Sequence, residues 1–369
     1  MTAPTRVLIV GAGLAGARCA ETLRANGFDG DVRIVGAESV PPYERPALSK
    51  EHLSGARDAG SLELRPRSFW RDNGIELLLG RRVLSVDAEA RTALTDGEEE
   101  LTWDALVLAS GAAARSLPGW DGAHTLRTLA DAAALREQLQ PGARVAVIGA
   151  GFVGTELAST AVSLGASVTL VDVAGAPLER VLGREVGTLL ASRYAEAGVE
   201  LRLGSAVDRS ELDADAIVIA VGVSPETPTL GGANGIPTDA CGRTPIPGVY
   251  AAGDVAEAWH PLLGRRLRVE HWASAAGQGA AVAHAILGNE RPHAALPYFW
   301  SDQFGRRLQY VGHAERWDAV EIEGDPSSFV ARYLENGATV AALAVDRPTE
   351  VASLRNELTA ALEGELLAA

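Results

Sequence analysis

The stretch "RVLIVGAGLAGARCAETLRANG", Arg6 to Gly27, decides how the chain is read. An all-apolar run rich in Val and Ile leads into Gly-Ala-Gly-x-x-Gly, then into small and apolar residues at helical spacing. That order predicts a buried strand, a tight turn and a helix. The unit recurs as "RVAVIGAGFVGTELASTAVSLG", Arg144 to Gly165, offset by 138 residues, Gly149 against Gly11. In such a loop the first glycine makes the turn and the second admits a pyrophosphate close to the backbone. The third lets the helix start against the strand, aiming its positive end at the phosphates. One such motif is a weak signal, but each copy is followed by a strand ending in an acid. "DVRIVGAE" puts Glu38 22 residues after Gly16, and "SVTLVD" puts Asp172 18 residues after Gly154. Acids at that distance suit the ribose hydroxyls of an adenosine. Two complete fingerprints predict two dinucleotide sites, a tightly held flavin (FAD) beside an exchangeable nicotinamide.

Two further runs repeat each other. "TWDALVLASGAAARSLPG" (Thr102 to Gly119) and "DADAIVIAVGVSPET" (Asp213 to Thr227) each show an acid, a buried strand and a glycine, Ser110-Gly111 in one and Val221-Gly222 in the other. "TPIPGVYAAGDVAE" (Thr244 to Glu257) ends a strand in Gly253-Asp254. With these runs the sequence resembles the pyridine nucleotide-disulfide oxidoreductase superfamily. The resemblance implies a glutathione-reductase-like α/β fold with two Rossmann-like dinucleotide-binding domains and a small α+β C-terminal domain. It assigns the first fingerprint to FAD and the second, inserted one to the nicotinamide, and gives Asp254 to the ribityl chain. The expected boundaries are 1–112 with 235–293 for a discontinuous FAD-binding domain, 113–234 for the NAD-binding domain and 294–369 for the C-terminal domain.

Cys19 and Cys241 are the only cysteines and form no CxxC, so neither a disulfide framework nor a zinc–cysteine site is expected. Cys19, three residues into a helix after Gly16, reads as a small core residue. Where thiol-dependent branches of the superfamily keep a cysteine, this chain has "SVPPYERPALSK". The flavin is therefore expected to hand its electrons to an external acceptor.

"PPYERPALSKEHL", "HTLRTLADAAALR", "RVEHWASAAGQGAAVAHAILG" and "YFWSDQFGRRLQYVGHA" together resemble the FAD-dependent ferredoxin reductases of bacterial oxygenase systems, of the putidaredoxin reductase and aromatic-dioxygenase type. Carried over by that resemblance, the FAD positions are Gly11, Gly13, Ala15, Gly16, Glu38, Arg45, Pro46, Lys50, Val83, Ser110, Gly111, Arg127, Asp254, Glu270, Trp272 and Trp300. The NAD positions are Gly149, Gly151, Phe152, Val153, Gly154, Asp172, Arg180, Val221 and Gly222. The catalytic pair is Lys50, the family lysine beside flavin N5, with Glu156 as its partner. A lysine buried beside a flavin costs several kcal/mol unless paired, which Glu156 would offset while the cation stabilises charge on the reduced ring. The seven histidines have no metal-ligand spacing, so no metal is expected.

After Asp172 the first cation is Arg180; an acid there repels a 2′-phosphate, so NADH is the expected donor. The expected electron acceptor is a small iron–sulfur ferredoxin, with rubredoxin as the alternative. The net charge of −15, 48 acids against 33 bases, argues against nucleic acid or an anionic membrane as partner. Against that acidity stand local clusters: Arg65, Arg67 and Arg71; Arg265, Arg266 and Arg268; and Arg306 with Arg307, read as the ferredoxin-docking face. No run approaches the ~18 apolar residues of a membrane span, and a cytoplasmic monomer or homodimer is expected. A hairpin is predicted at Asn336-Gly337, followed by a helix from near Pro348. The rival readings are a rubredoxin reductase, a cysteine-independent NADH oxidase and an NADH-sensing signalling flavoprotein like apoptosis-inducing factor.

Overall fold

Residues 4–228 and 230–368 are described by a computed structural model, in two compact units. The first comprises Met1–Glu44, Leu62–Ala113 and Ser224–Pro297; the second Arg45–Ser61, Ala114–Val223 and Tyr298–Ala369.

In the first unit, strand Arg6–Val10 is buried on both faces, which is why its sequence is continuously apolar rather than alternating. It is the middle strand of a five-stranded parallel sheet ordered Val249–Ala251, Ala105–Leu108, Arg6–Val10, Asp31–Gly36, Ile75–Leu79. Helix Leu14–Ala25 covers the sheet with Ala15, Ala17, Cys19, Ala20 and Leu23, and Cys19 is fully buried as a small core residue. Small side chains are needed because helix Trp272–Ile286 lies close against it: a Cβ on Gly279 would strike the Ala15 carbonyl. A three-stranded antiparallel sheet (Val83–Asp87, Thr92–Thr95, Glu100–Thr102) completes a second apolar cluster around Trp103.

The second unit repeats the arrangement around Arg144–Ile148, in a four-stranded parallel sheet ordered Glu200–Leu203, Ser167–Asp172, Arg144–Ile148, Ala216–Ile219. In both sheets the chain order reverses beside the strand that feeds the glycine loop, the switch point at which open α/β sheets bind ligands. The same unit carries a five-stranded antiparallel sheet ordered Tyr298–Gln303, Arg306–Gly312, Ala338–Val345, Ser328–Glu335, Ala319–Asp325, with helix Val351–Ala368. Asn336 (φ 51°) and Gly337 (φ 80°) make its hairpin turn, the left-handed pair that a two-residue I′ turn requires. The helix expected near Pro348 starts at Val351, because the turn from Arg347 to Glu350, closed by their ion pair at 2.6 Å, intervenes.

The internal repeat extends to single hydrogen bonds. Asp104 Oδ2 accepts from the Arg6 amide at 3.0 Å while its Oδ1 accepts from the Arg6 guanidinium at 2.8 Å. Asp215 holds Arg144 in the same two ways, at 2.9 and 2.7 Å. The acid that precedes each "ALVLAS" or "AIVIAV" strand thus pins the first residue of the central strand and sets the register between the two. Hydrogen bonds from Arg6 and Thr5 hold the Asp104 carboxyl well below the usual carboxylate range, and those from Arg144 lower Asp215 to about 2.

A carboxyl depressed in the folded state stabilises above its unfolded value of about 3.9 and loses that contribution as pH falls to the folded value. Asp215→Asn should therefore lower the thermal midpoint at about pH 7, with the gap to the parent closing between about pH 4 and about pH 2. A gap that stays constant through that window would show that the ionised form of Asp215 adds nothing to stability.

Candidate functional site

The two glycine loops separate what the fold needs from what a ligand needs. A Cβ at Gly11 (φ 122°) would fall on the Ala109 carbonyl, and one at Gly16 on the Gly11 carbonyl. Gly149 (φ 108°) and Gly154 stand in the same relation to Ala220 and Gly149. Packing alone accounts for those four. At Gly13 and Gly151 a Cβ would meet no protein atom within 4 Å, so the bare backbone there answers to something other than the fold. Both residues are helix N-caps without a side-chain cap, and neither helix has an acid in its first turn. Two open, positively polarised helix starts fit a dinucleotide pyrophosphate each.

The acids that follow are held differently. Glu38 accepts from the Tyr43 hydroxyl at 2.9 Å. Asp172 Oδ2 accepts from the Ala150 amide of the glycine loop at 2.6 Å and its Oδ1 from the Ala174 amide at 2.8 Å, so the carboxylate is fixed against the loop. Arg180 is exposed at the start of helix Glu179–Glu196, and Val153 is exposed in the first turn after Gly151. Phe152 packs edge-on to Phe299 with ring centroids 4.6 Å apart. Val221 and Gly222 (φ 100°) follow strand Ala216–Ile219, and the Gly222 carbonyl accepts from the Arg115 amide at 3.0 Å.

Of the remaining residues expected at FAD, Val83, Ser110, Gly111, Asp254, Glu270 and Trp272 lie in the first unit. The Ser110 hydroxyl donates to the Glu226 carbonyl, and the Glu226 amide donates to the Gly111 carbonyl at 3.0 Å. Gly253 gives its amide to Gln278 at 2.8 Å, and a Cβ there would lie 3.0 Å from that of Ala15, so the residue before Asp254 lies against the start of the first fingerprint helix. Glu270 is ion-paired with Arg268, Trp272 opens helix Trp272–Ile286, and Val83 is buried in the second apolar cluster.

Arg45, Pro46, Lys50, Arg127, Glu156 and Trp300 lie in the second unit. Arg45 donates to the Arg127 carbonyl at 2.7 Å, and Arg127 runs into the cap of helix Leu129–Gln138, where the amides of Arg127 and Thr128 both donate to Asp131 at 2.9 Å. Lys50 Nζ lies 2.8 Å from Glu156 Oε2, the two side chains only 12% and 7% exposed, and also donates to the Pro46 carbonyl at 3.2 Å. Trp300, next to Ser301 on strand Tyr298–Gln303, stacks on Tyr298, centroids 6.3 Å apart.

Sequence reasoning missed what surrounds Glu156. The Ser49 hydroxyl donates to Oε2 at 2.5 Å and the Ser301 hydroxyl to Oε1 at 2.6 Å. Gln303 donates to Ser301 at 3.0 Å and accepts from Tyr194 at 2.7 Å, while Thr160 donates to the Ser49 carbonyl at 2.6 Å. Burial pushes the Tyr194 phenol far above its ordinary value, so it remains a donor at any working pH. One signal was available in the sequence: Lys50 is the only lysine among 33 cationic residues, the other 32 being arginine. A lone ammonium in an arginine chain marks a place where a compact point charge on a flexible stem is required and a planar guanidinium does not serve.

Among the described residues no cluster of His, Cys, Asp or Glu could hold a metal, and no helix is long and apolar enough to cross a membrane.

Residues 5–279 match the pyridine nucleotide-disulphide oxidoreductase family, and residues 298–365 match the reductase C-terminal family. The chain is 37% identical over 369 residues to the 5,5'-dehydrodivanillate O-demethylase ferredoxin reductase subunit of a Sphingobium species, covering 92% of this chain and 90% of that one. It is 37% identical over 380 residues to the ferredoxin–NAD(+) reductase component of the anthranilate 1,2-dioxygenase system of Burkholderia cepacia, covering 96% and 94%. It superposes on a chain of the covalent putidaredoxin reductase–putidaredoxin complex with a TM-score of 0.91 at 33% identity, covering 96% of this chain and 92% of that one. With its paired glycine loops, its parallel sheets and these matches, the chain belongs to the pyridine nucleotide-disulphide oxidoreductase family and carries that family's reductase C-terminal domain.

Proposed function

We propose that this protein is an NADH-dependent flavoprotein reductase that delivers electrons singly to a small iron–sulfur ferredoxin serving an oxygenase. Per turnover one NADH reduces two ferredoxins and releases NAD⁺ and one proton. The observation that carries the reading is the buried Lys50–Glu156 pair in a chain with no thiol placed for redox work. Cys19 and Cys241 are both buried, and burial raises both thiols, which removes them as nucleophiles. The relatives named for ferredoxin reduction in oxygenase systems support the same acceptor.

FAD, when bound, supplies a ring that takes electrons in pairs and releases them one at a time. The chain's own part is to hold and polarise. Gly11, Gly13, Ala15 and Gly16 would receive the FAD pyrophosphate, Glu38 its ribose and Asp254 its ribityl chain. Gly149, Gly151, Phe152, Val153 and Gly154 would receive the nicotinamide dinucleotide, with Asp172 on its ribose. The domain division at 112/113, 234/235 and 293/294 follows from that assignment. Lys50 holds a positive charge whose own desolvation is offset by Glu156, so the charge is fixed before substrate arrives. A cytoplasmic location, where NADH is available, belongs to the same reading.

The arginines read as a docking face are largely answered by acids. Arg306 pairs with Asp346 at 2.8 Å and Arg65 with Glu21 at 3.1 Å, whereas Arg307, half exposed, has Asp302 only at 3.8 Å. Docking of an acidic ferredoxin near Arg306 and Arg307 therefore rests most on Arg307.

Anaerobic mixing with NADH should bleach the flavin band, and ferredoxin should restore it. No bleaching by NADH or NADPH would overturn the reading, and turnover with oxygen but with no ferredoxin would make the protein an oxidase. Lys50→Met should slow bleaching on the order of a hundredfold, the scale for removing one preorganised charge or donor. Asp172→Ala should cost about 1.5–3 kcal/mol in kcat/KM for NADH, roughly ten- to a hundredfold, by removing a charged hydrogen-bond acceptor. Arg307→Glu should raise the KM for ferredoxin roughly tenfold at about 10 mM salt and hardly at all at about 0.5 M. An unchanged KM at low salt would exclude that face.

A further inference from the structure

Ser301 and Gln303 sit on the inner face of strand Tyr298–Gln303, where alternation would place apolar residues, and both are buried, Ser301 to 0% exposure. Polar side chains in such positions cost stability unless their hydrogen bonds are met, so packing does not account for them. Their hydrogen bonds run one way. The Tyr194 phenol donates to Gln303 Oε1, Gln303 Nε2 donates to Ser301 Oγ, and Ser301 donates its only proton to Glu156 Oε1. Ser49 closes the other side, on the oxygen that also receives Lys50. Each carboxylate oxygen is therefore assigned: Oε2 to the ammonium and Ser49, Oε1 to the relay from the C-terminal sheet. A free carboxylate can rotate about its last bond and swing the paired ammonium with it; this one has donors fixing both ends.

We propose that Ser301, braced by Gln303 and Tyr194, is a positioning residue that locks the Glu156 carboxylate and thereby aims the chain's single lysine. The functional half rests on reading Lys50 as the residue that faces the flavin. The C-terminal sheet then does more than cover: it sets the direction of a charge carried by a different segment, Arg45–Ser61, through a helix of the parallel-sheet portion. The relay deletes cleanly, because Ser301→Ala and Tyr194→Phe each remove one oxygen and leave the packing in place.

Since the chain holds one lysine, lysine-15N labelling of the FAD-loaded protein yields a single Nζ resonance that reports Lys50 alone. In the parent the ion-paired ammonium should be sheltered from exchange with water. Ser301→Ala should shorten its proton lifetime about tenfold, the equivalent of one hydrogen bond to a charged group. It should also slow flavin bleaching by saturating NADH about tenfold with KM for NADH unchanged. Ser301→Thr, which keeps the hydroxyl on a strand that favours β-branched residues, should restore both. Tyr194→Phe, two links away, should move both in the same direction by less. A parental lysine resonance and lifetime in Ser301→Ala, with or without a lower thermal midpoint, overturns the proposal and leaves Ser301 a packing residue. If the lysine signal responds but bleaching stays parental in both Ser301→Ala and Lys50→Met, the positioning stands and the flavin-facing reading of Lys50 fails.

Discussion

A carboxylate taken out of water must be met by donors on every side, and in this protein that requirement falls on Glu156. Removing one partner of a buried ion pair typically costs about 3–5 kcal/mol, so the segments that answer Glu156 are bound to it as firmly as core contacts would bind them. Lys50 and Ser49 come from a short segment far back in the chain, and Ser301 comes from the C-terminal sheet. Thr160, one turn along the same helix, ties down the Ser49 carbonyl, and Ser159 accepts from the Phe304 amide at 2.6 Å. One face of helix Phe152–Ser163 is thus a polar seam, and it gathers two distant stretches of chain, Ser49–Lys50 and Ser301–Phe304, beside a single negative charge.

The two parallel-sheet portions share their clamps but diverge in how the acid at or just past the end of the second strand is held. Asp172 is anchored by two amides, Ala150 of its glycine loop and Ala174 just after it, whereas Glu38 accepts from the Tyr43 hydroxyl. A carboxylate pinned by backbone is rigid before any ligand arrives. One held by a side chain keeps a rotatable partner. The first arrangement leaves little ordering to be done when a ligand binds beside it.

The glycine loops, the paired acids and the hairpin were legible because each is a local backbone demand with its own residue signature. Gly11, Gly149 and Gly337 are glycines for reasons that lie within a few residues or one neighbouring strand. The relay to Glu156 was not legible, because Tyr194, Ser301 and Gln303 are ordinary residues until the fold brings them within 3.0 Å of one another. The pairing of the arginines was not legible either: neighbours in sequence look like patches of charge, and acids from elsewhere, Glu21 and Asp346, meet Arg65 and Arg306 in space. The helix expected near Pro348 begins three residues later because a local ion pair holds the turn. Lys50 alone could have been found by counting.

That count reaches beyond the site. Guanidinium groups stay charged past about pH 12, so the cationic half of the surface does not titrate under any condition in which the protein works. Three of the seven histidines, His260, His284 and His293, are pushed down by burial, His293 to about 4, and the buried thiols and tyrosines are pushed up. Those groups therefore stay neutral across the neutral and mildly alkaline range and add nothing to a change in net charge there. Attraction between the arginine-borne charge and an acidic partner is therefore set by ionic strength.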